Sequence, residues 1–204
     1  MMIISAETRH IEQVADIFCE AFLDSINFFT RVNEDVKNAI KEMFNLLLLV
    51  YGQGFMVAIE ENEVCGYIVM VDNIKKLWFK AITTGFFLKM SYWLVSRKIV
   101  LDGKNLLKII KNKIFYMKFE VSTPPSAQIL SIAVAQKYRQ MGIGKSLVKA
   151  GIDFIDSLCI KRIKLEVRPE NTAALTTYKR FGFKQIGKTK DLQGNWLIMV
   201  RETD

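Results

Sequence analysis

Gly142 and Gly144 stand one residue apart, flanked by Arg139 and Lys145, where the apolar run Gln128–Val134 gives way to a polar turn and then a helical pattern. Glycine lets backbone approach a ligand closely. The first N–H groups of a helix lack partners and lie at the positive end of its dipole, so such a stretch accepts an anion. Arg139 and Lys145 add charge beside it, and a diphosphate fits that chemistry. Further along, Asn171 and Tyr178 lie seven residues apart, on one face of a short helix that Gly182 ends. A phenol can give its proton to a leaving group near neutral pH. The candidate bases are Glu120 and Glu166. For Glu166 a satisfied structural carboxylate is the favoured reading, and a water relay to solvent is an equal alternative to either. The sole histidine, His10, falls early in the first helix and reads as a surface or boundary residue and not a catalyst.

Two common phosphate loops are excluded. A Walker A loop needs glycine five residues before Gly144, and that position is Arg139. A dinucleotide fingerprint needs a third glycine at position 147, which is Leu147. The pattern present is Arg139-x-x-Gly142-x-Gly144. It resembles the cofactor loop of the GCN5-related N-acetyltransferase (GNAT) superfamily, Gln/Arg-x-x-Gly-x-Gly/Ala. The second stretch, Asn171-x-x-Ala174-x-x-x-Tyr178-x-x-x-Gly182-Phe183, resembles that superfamily's other hallmark in every named position.

The resemblance implies an enzyme that moves an acetyl group from acetyl-CoA to a primary amine of a small molecule, by direct attack in a ternary complex. Its alternatives are acetylation of a protein or peptide amine, and a non-catalytic acyl-CoA sensor. It implies that Ile132, Ala133 and Val134 bind the pantetheine arm. Arg139, Gln140, Met141, Gly142, Ile143, Gly144, Lys145 and Ser146 would hold the pyrophosphate. Asn171 would bond the arm, and Tyr178 would face the sulfur and protonate the leaving thiolate. No metal is implied. A finer likeness, to puromycin N-acetyltransferase-like members, rests on the acidic-aromatic segment Ala21–Phe29, the basic insertion, and Gly194–Met199.

These residues need elements to position them. Met2–Ser5 reads as a strand, and Ile11, Val14, Ala15, Phe18 and Phe22 recur at helical spacing behind Thr8. A second helix spans about 34–50, followed by a hairpin of Phe55–Glu60 and Val64–Val71. Gln128–Val134 and Arg162–Val167 read as strands, with a helix over Gly142–Cys159 between them. Thr172–Phe181 reads as a short helix, and Phe183–Ile186 and Trp196–Arg201 as closing strands. The expectation is an α/β fold: a mixed central sheet with two splayed parallel strands, flanked by helices. One domain over 1–204 is expected, with a helical insertion at about 72–121.

The charge is unevenly placed. Residues 72–121 hold 11 Lys or Arg against 3 Asp or Glu, while the rest of the chain is balanced, so the net +8 belongs to the insertion. It carries a turn at Asp102-Gly103 and is closed by Pro124-Pro125. It reads as a lid over the acceptor pocket, a homodimer interface, or an amphipathic element on an anionic membrane surface. Lysine stems covering a small subdomain are the bland reading. No base-reading motif accompanies the charge, so specific nucleic-acid binding is not expected. Lysines and Arg97 interrupt the most apolar stretch, 77–101, and no membrane span is expected. Three scattered cysteines without CxxC spacing fit a reducing, cytoplasmic setting.

Overall fold

The computed structural model describes residues 1–96 and 127–202. In chain order the described elements are β1 (Met2–Ser5), α1 (Ile11–Ala21), α2 (Leu23–Asn27), α3 (Glu34–Tyr51), β2 (Phe55–Glu60), β3 (Glu63–Val71), α4 (Ile74–Thr83) and α5 (Phe86–Val95). After them come β4 (Ala127–Val134), α6 (Ile143–Ser157), β5 (Arg162–Val167), α7 (Thr172–Arg180), β6 (Lys184–Asp191) and β7 (Gly194–Glu202). The seven strands form one mixed sheet in the order β1-β2-β3-β4-β5-β7-β6. Every neighbouring pair is antiparallel except β4 and β5.

Strand β3 is apolar on both faces and buried along nearly its whole length. Tyr67, Val69 and Val71 face a cluster built with Phe44 of α3 and Val14 and Ala15 of α1. Ile68 and Met70 face the other cluster, with Leu147, Ile152 and Ile155 of α6 and Leu165 of β5. Helices therefore cover both sides of the sheet, which explains a central strand without polar alternation.

The one parallel pair is brief. Strands β4 and β5 align only at Ala127↔Ile163 and Gln128↔Lys164. Just beyond, β4 carries an extra residue: Val69 pairs with Ser131 and Met70 with Ile129, leaving Leu130 between them. Such a bulge bends its strand. From there β4 stays with β3 and β5 stays with β7, so the sheet opens between them. The expected splay is present, and a local bulge is its backbone cause.

Two elements differ from the sequence reading. The helix expected to continue through Phe22 breaks there, and a short separate helix, α2, follows. Strand β6 runs to Asp191, well beyond Ile186. Its sequence lacks an apolar face, and Ile186 itself is exposed. As the sheet's last strand, β6 is held by backbone pairing to β7, and its lysines suit an edge. Within the insertion, α4 and α5 are helical as expected. The Asp102-Gly103 turn, Pro124-Pro125 and Glu120 lie outside the described residues.

Candidate active site

The turn after β4 is pinned from below. Ala135 N–H donates to the Cys65 carbonyl of β3 at 2.9 Å, and Gln136 N–H to the Glu20 carboxylate of α1 at 3.0 Å. Glu63 holds Lys137 and accepts from the Tyr138 hydroxyl at 3.0 Å. Two left-handed residues, Gln140 (φ 66°) and Gly142 (φ 83°), then swing the chain into α6. Gly142 is the residue that caps the helix, and among the described residues no side chain accepts from the N–H groups at that end, the Ser146 hydroxyl donating to the Gly142 carbonyl instead. The first turn of α6 holds no acidic residue either. Its leading N–H groups are thus left for a ligand or water.

Gly144 has room to spare. A methyl group placed there would meet only Val134 Cγ2, at 3.8 Å, an ordinary contact. The fold itself therefore does not demand glycine at 144. Arg139 Nε donates to the Val134 carbonyl at 3.2 Å, which fixes the guanidinium at the mouth of the splay. Lys145, Met141 and Gln140 are exposed, Ser146 is half-buried, and Ile143 turns its side chain into the core. Of the strand residues, Ala133 is buried, and Ile132 and Val134 are half-buried.

Helix α7 brings the other candidates to the same side of the sheet. The Asn171 carboxamide oxygen accepts from Ala174 N–H at 3.1 Å and so starts the helix. Its amide NH₂ has no partner among the described residues. Tyr178 shares a buried cluster with Ile143 and Leu147 of α6, and its ring meets Phe183 edge-on at 5.7 Å. The hydroxyl makes no hydrogen bond among the described residues. It is not sealed either, since the one sealed and unpaired polar atom there is Trp196 Nε1. Burial pushes the Tyr178 phenol up to about 12. Glu166, 11 % exposed, is paired with Lys164 at 3.1 Å, as the structural reading holds.

A second constellation lies on the opposite face, and sequence reasoning missed it. Helix α1 packs on β3 and β4. From beyond β5, the β6–β7 hairpin reaches back to α2: Gln193 Nε2 donates to the Ser25 carbonyl at 2.9 Å. Arg168, just past β5, bonds Gln193 Oε1 at 3.1 Å and the Asn195 carbonyl at 3.3 Å, and pairs with Asp191 at 3.4 Å. Its guanidinium stacks 3.9 Å above Trp196. This bridge crosses the splayed gap. Only Gly194 at the hairpin tip signalled it in the sequence; nothing there tied Arg168 to residues 23 or more positions away.

Comparison with known proteins agrees with this geometry. The acetyltransferase (GNAT) family matches residues 11–183, and the chain belongs to that family. Its acyl donor is acetyl-CoA. Among relatives, an N-alpha-acetyltransferase of Sulfolobus acidocaldarius is 27 % identical over 172 residues, 81 % of this chain and 78 % of that one. An N-alpha-acetyltransferase of Sulfurisphaera tokodaii is 37 % identical over 59 residues, 28 % of this chain and only 35 % of that one. The crystal structure of Ard1 from Thermoplasma volcanium shares the fold, with a TM-score of 0.63, 18 % identity, and coverage of 100 % of this chain and 97 % of the other.

Proposed function

We propose that the protein acetylates a primary amine at the tip of its carrier, above all the N-terminal α-amine of a polypeptide, by direct attack in a ternary complex with acetyl-CoA. The observation that carries this reading is the bridge of α2 and the β6–β7 hairpin over the splayed strands. A side-chain amine in mid-polypeptide would have to bring chain on both sides beneath that bridge. A chain terminus has only one flank. The matched relatives that are N-alpha-acetyltransferases support the same choice. A small-molecule amine, the acceptor implied by the family resemblance, is the second reading. The puromycin acetyltransferase-like refinement has no further support and is set aside.

When bound, the donor supplies an activated acetyl thioester. In our reading the leading N–H groups of α6, with Arg139 and Lys145, take its diphosphate. The free β4 edge and the Asn171 amide hold the arm, which fixes the thioester in the splay. Most of the acceleration then comes from holding amine and thioester together. Tyr178 keeps its proton at neutral pH and offers it as a hydrogen bond to charge growing on sulfur. Glu166 is engaged by Lys164, which leaves Glu120 or a water relay to solvent to take the proton from the ammonium.

The test is release of free thiol from acetyl-CoA in the presence of short peptides with free N-termini, the same peptides blocked at the α-amine but carrying an internal lysine, and a panel of small amines. Turnover with the free N-termini and not with the blocked peptides is expected. Turnover confined to small amines would establish the second reading. Binding without thiol release for any amine would make the protein a sensor.

A further inference from the structure

Helices α4 and α5 leave much apolar surface uncovered. Helix α4 turns Ile74 and Leu77 toward the cluster that α3 lines, and Ala81 is buried. Its outer face shows Phe79 at 70 % exposure and Ile82 at 68 %. On α5, Leu88, Tyr92 and Val95 recur at i, i+4 and i+7, one helical stripe, and are 77 %, 62 % and 84 % exposed. A soluble surface seldom groups so many large apolar side chains without a use.

Basic residues stand among them. Lys76 is neutralised by Asp72, and Lys89 by Glu42 at 2.7 Å. Lys75 and Lys80 have no carboxylate partner among the described residues. Residues 74–95, which span both helices, hold four lysines and no acidic residue. Apolar stripes interleaved with unpaired lysines on short surface helices match the interface of an anionic bilayer: side chains enter the acyl boundary and ammonium groups meet the headgroups.

We infer that the α4–α5 face docks the enzyme on an anionic lipid surface, lying on it without crossing it. Among the described residues, no helix is long and apolar enough to span a membrane. A second copy is a poorer occupant, because apposing two such faces would set unpaired lysines against each other. Nucleic acid is poorer too, since Ile82, Leu88 and Val95 offer nothing to a base or a phosphate. Docking would leave the cofactor site free. Helix α4 leaves the sheet after Val71, beside Gln128, whereas the phosphate turn lies at the other end of β4, beside Gly66.

The full chain is sedimented with vesicles of phosphatidylcholine alone and with vesicles that also contain phosphatidylglycerol, at low and high salt. Binding to the anionic vesicles, weakened by salt, is expected, with little on the neutral ones. Lys75→Gln and Lys80→Gln should each lower partitioning about fivefold. Leu88→Asp with Val95→Asp should lower it more than tenfold. Each variant is checked for unchanged acetyl-CoA affinity, which shows it folded. The inference is overturned if the wild type ignores anionic vesicles at low salt, or if the folded Leu88→Asp/Val95→Asp protein binds as well as wild type. A dimer in solution that the same two substitutions dissolve would overturn it in favour of a self-interface.

Discussion

The two sides of the splayed strands are built from different materials. On the α6–α7 side the contacts on offer are largely backbone, with Arg139, Lys145 and Asn171 beside them: the uncapped N–H groups after Gly142, the free edge of β4, and the space beside Gly144. On the α1–α2 side they are side chains: Arg168, Asp191, Gln193 and Trp196, drawn from β5's exit and the last hairpin, meeting Ser25. A backbone site needs a short local pattern and tolerates most other changes around it. A side-chain bridge needs residues from distant parts of the chain and can be rewired piece by piece. A constant donor with a variable acceptor calls for that division.

The comparison breaks first at Tyr178, which lies on the α6–α7 side and, in the proposed reading, acts through a side chain. Tyr178→Phe should lower kcat about 10²-fold or more while acetyl-CoA affinity stays within about twofold. Stability near neutral pH should change by less than about 1 kcal/mol, because the hydroxyl gives up no hydrogen bond. An equal loss in acetyl-CoA binding would make Tyr178 a wall of the site and not a donor. At high pH the sign is fixed by the raised phenol. Folding favours the neutral form, so this stabilisation is whole below the ordinary value of 10 and is lost as pH rises through about 12. Alkaline denaturation of Tyr178→Phe should therefore be shallower than that of wild type between those values.

The glycine pair sharpens the contrast next. At Gly144 a methyl group meets only an ordinary contact, and alanine suits a helix better. Gly144→Ala should thus stabilise the protein by about 0.5–1 kcal/mol in thermal unfolding. It should also weaken acetyl-CoA by about tenfold in a binding titration, because the methyl occupies the donor's approach. Gly142→Ala should do the reverse in stability, losing about 1–2 kcal/mol, since φ is +83° there. If Gly144→Ala left acetyl-CoA affinity intact, the donor would not touch that backbone.

These materials also explain what was legible in the sequence. Gly142, Gly144, Asn171 and Tyr178 each sit in a contiguous stretch whose spacing carries the geometry, so the turn, the helix start and the buried phenol were readable. The splay was expected from family likeness, but its cause at Leu130 was not, because a bulge depends on the register against β3. Strand β6 was cut short because its exposed, lysine-rich sequence has no period to read. The bridge was invisible for the same kind of reason: Gln193 and Ser25 are 168 residues apart.

The smallest effect should be the most discriminating. Gln193→Ala removes one neutral bond to the Ser25 carbonyl and one contact to Arg168, while Arg168 keeps Asp191, the Asn195 carbonyl and the Trp196 ring. The hairpin therefore stays folded, and losing the two bonds together costs about 1–3 kcal/mol. If the bridge is the acceptor's cover, the result is a severalfold rise in KM for the amine, with kcat changed less and acetyl-CoA affinity unchanged. Blocked peptides with an internal lysine, excluded by the wild type, should begin to turn over. An equal shift in acetyl-CoA affinity would mean that the two faces are not separable. No shift in either would leave the bridge a stabilising tie of the last hairpin and return the choice of acceptor to residues elsewhere.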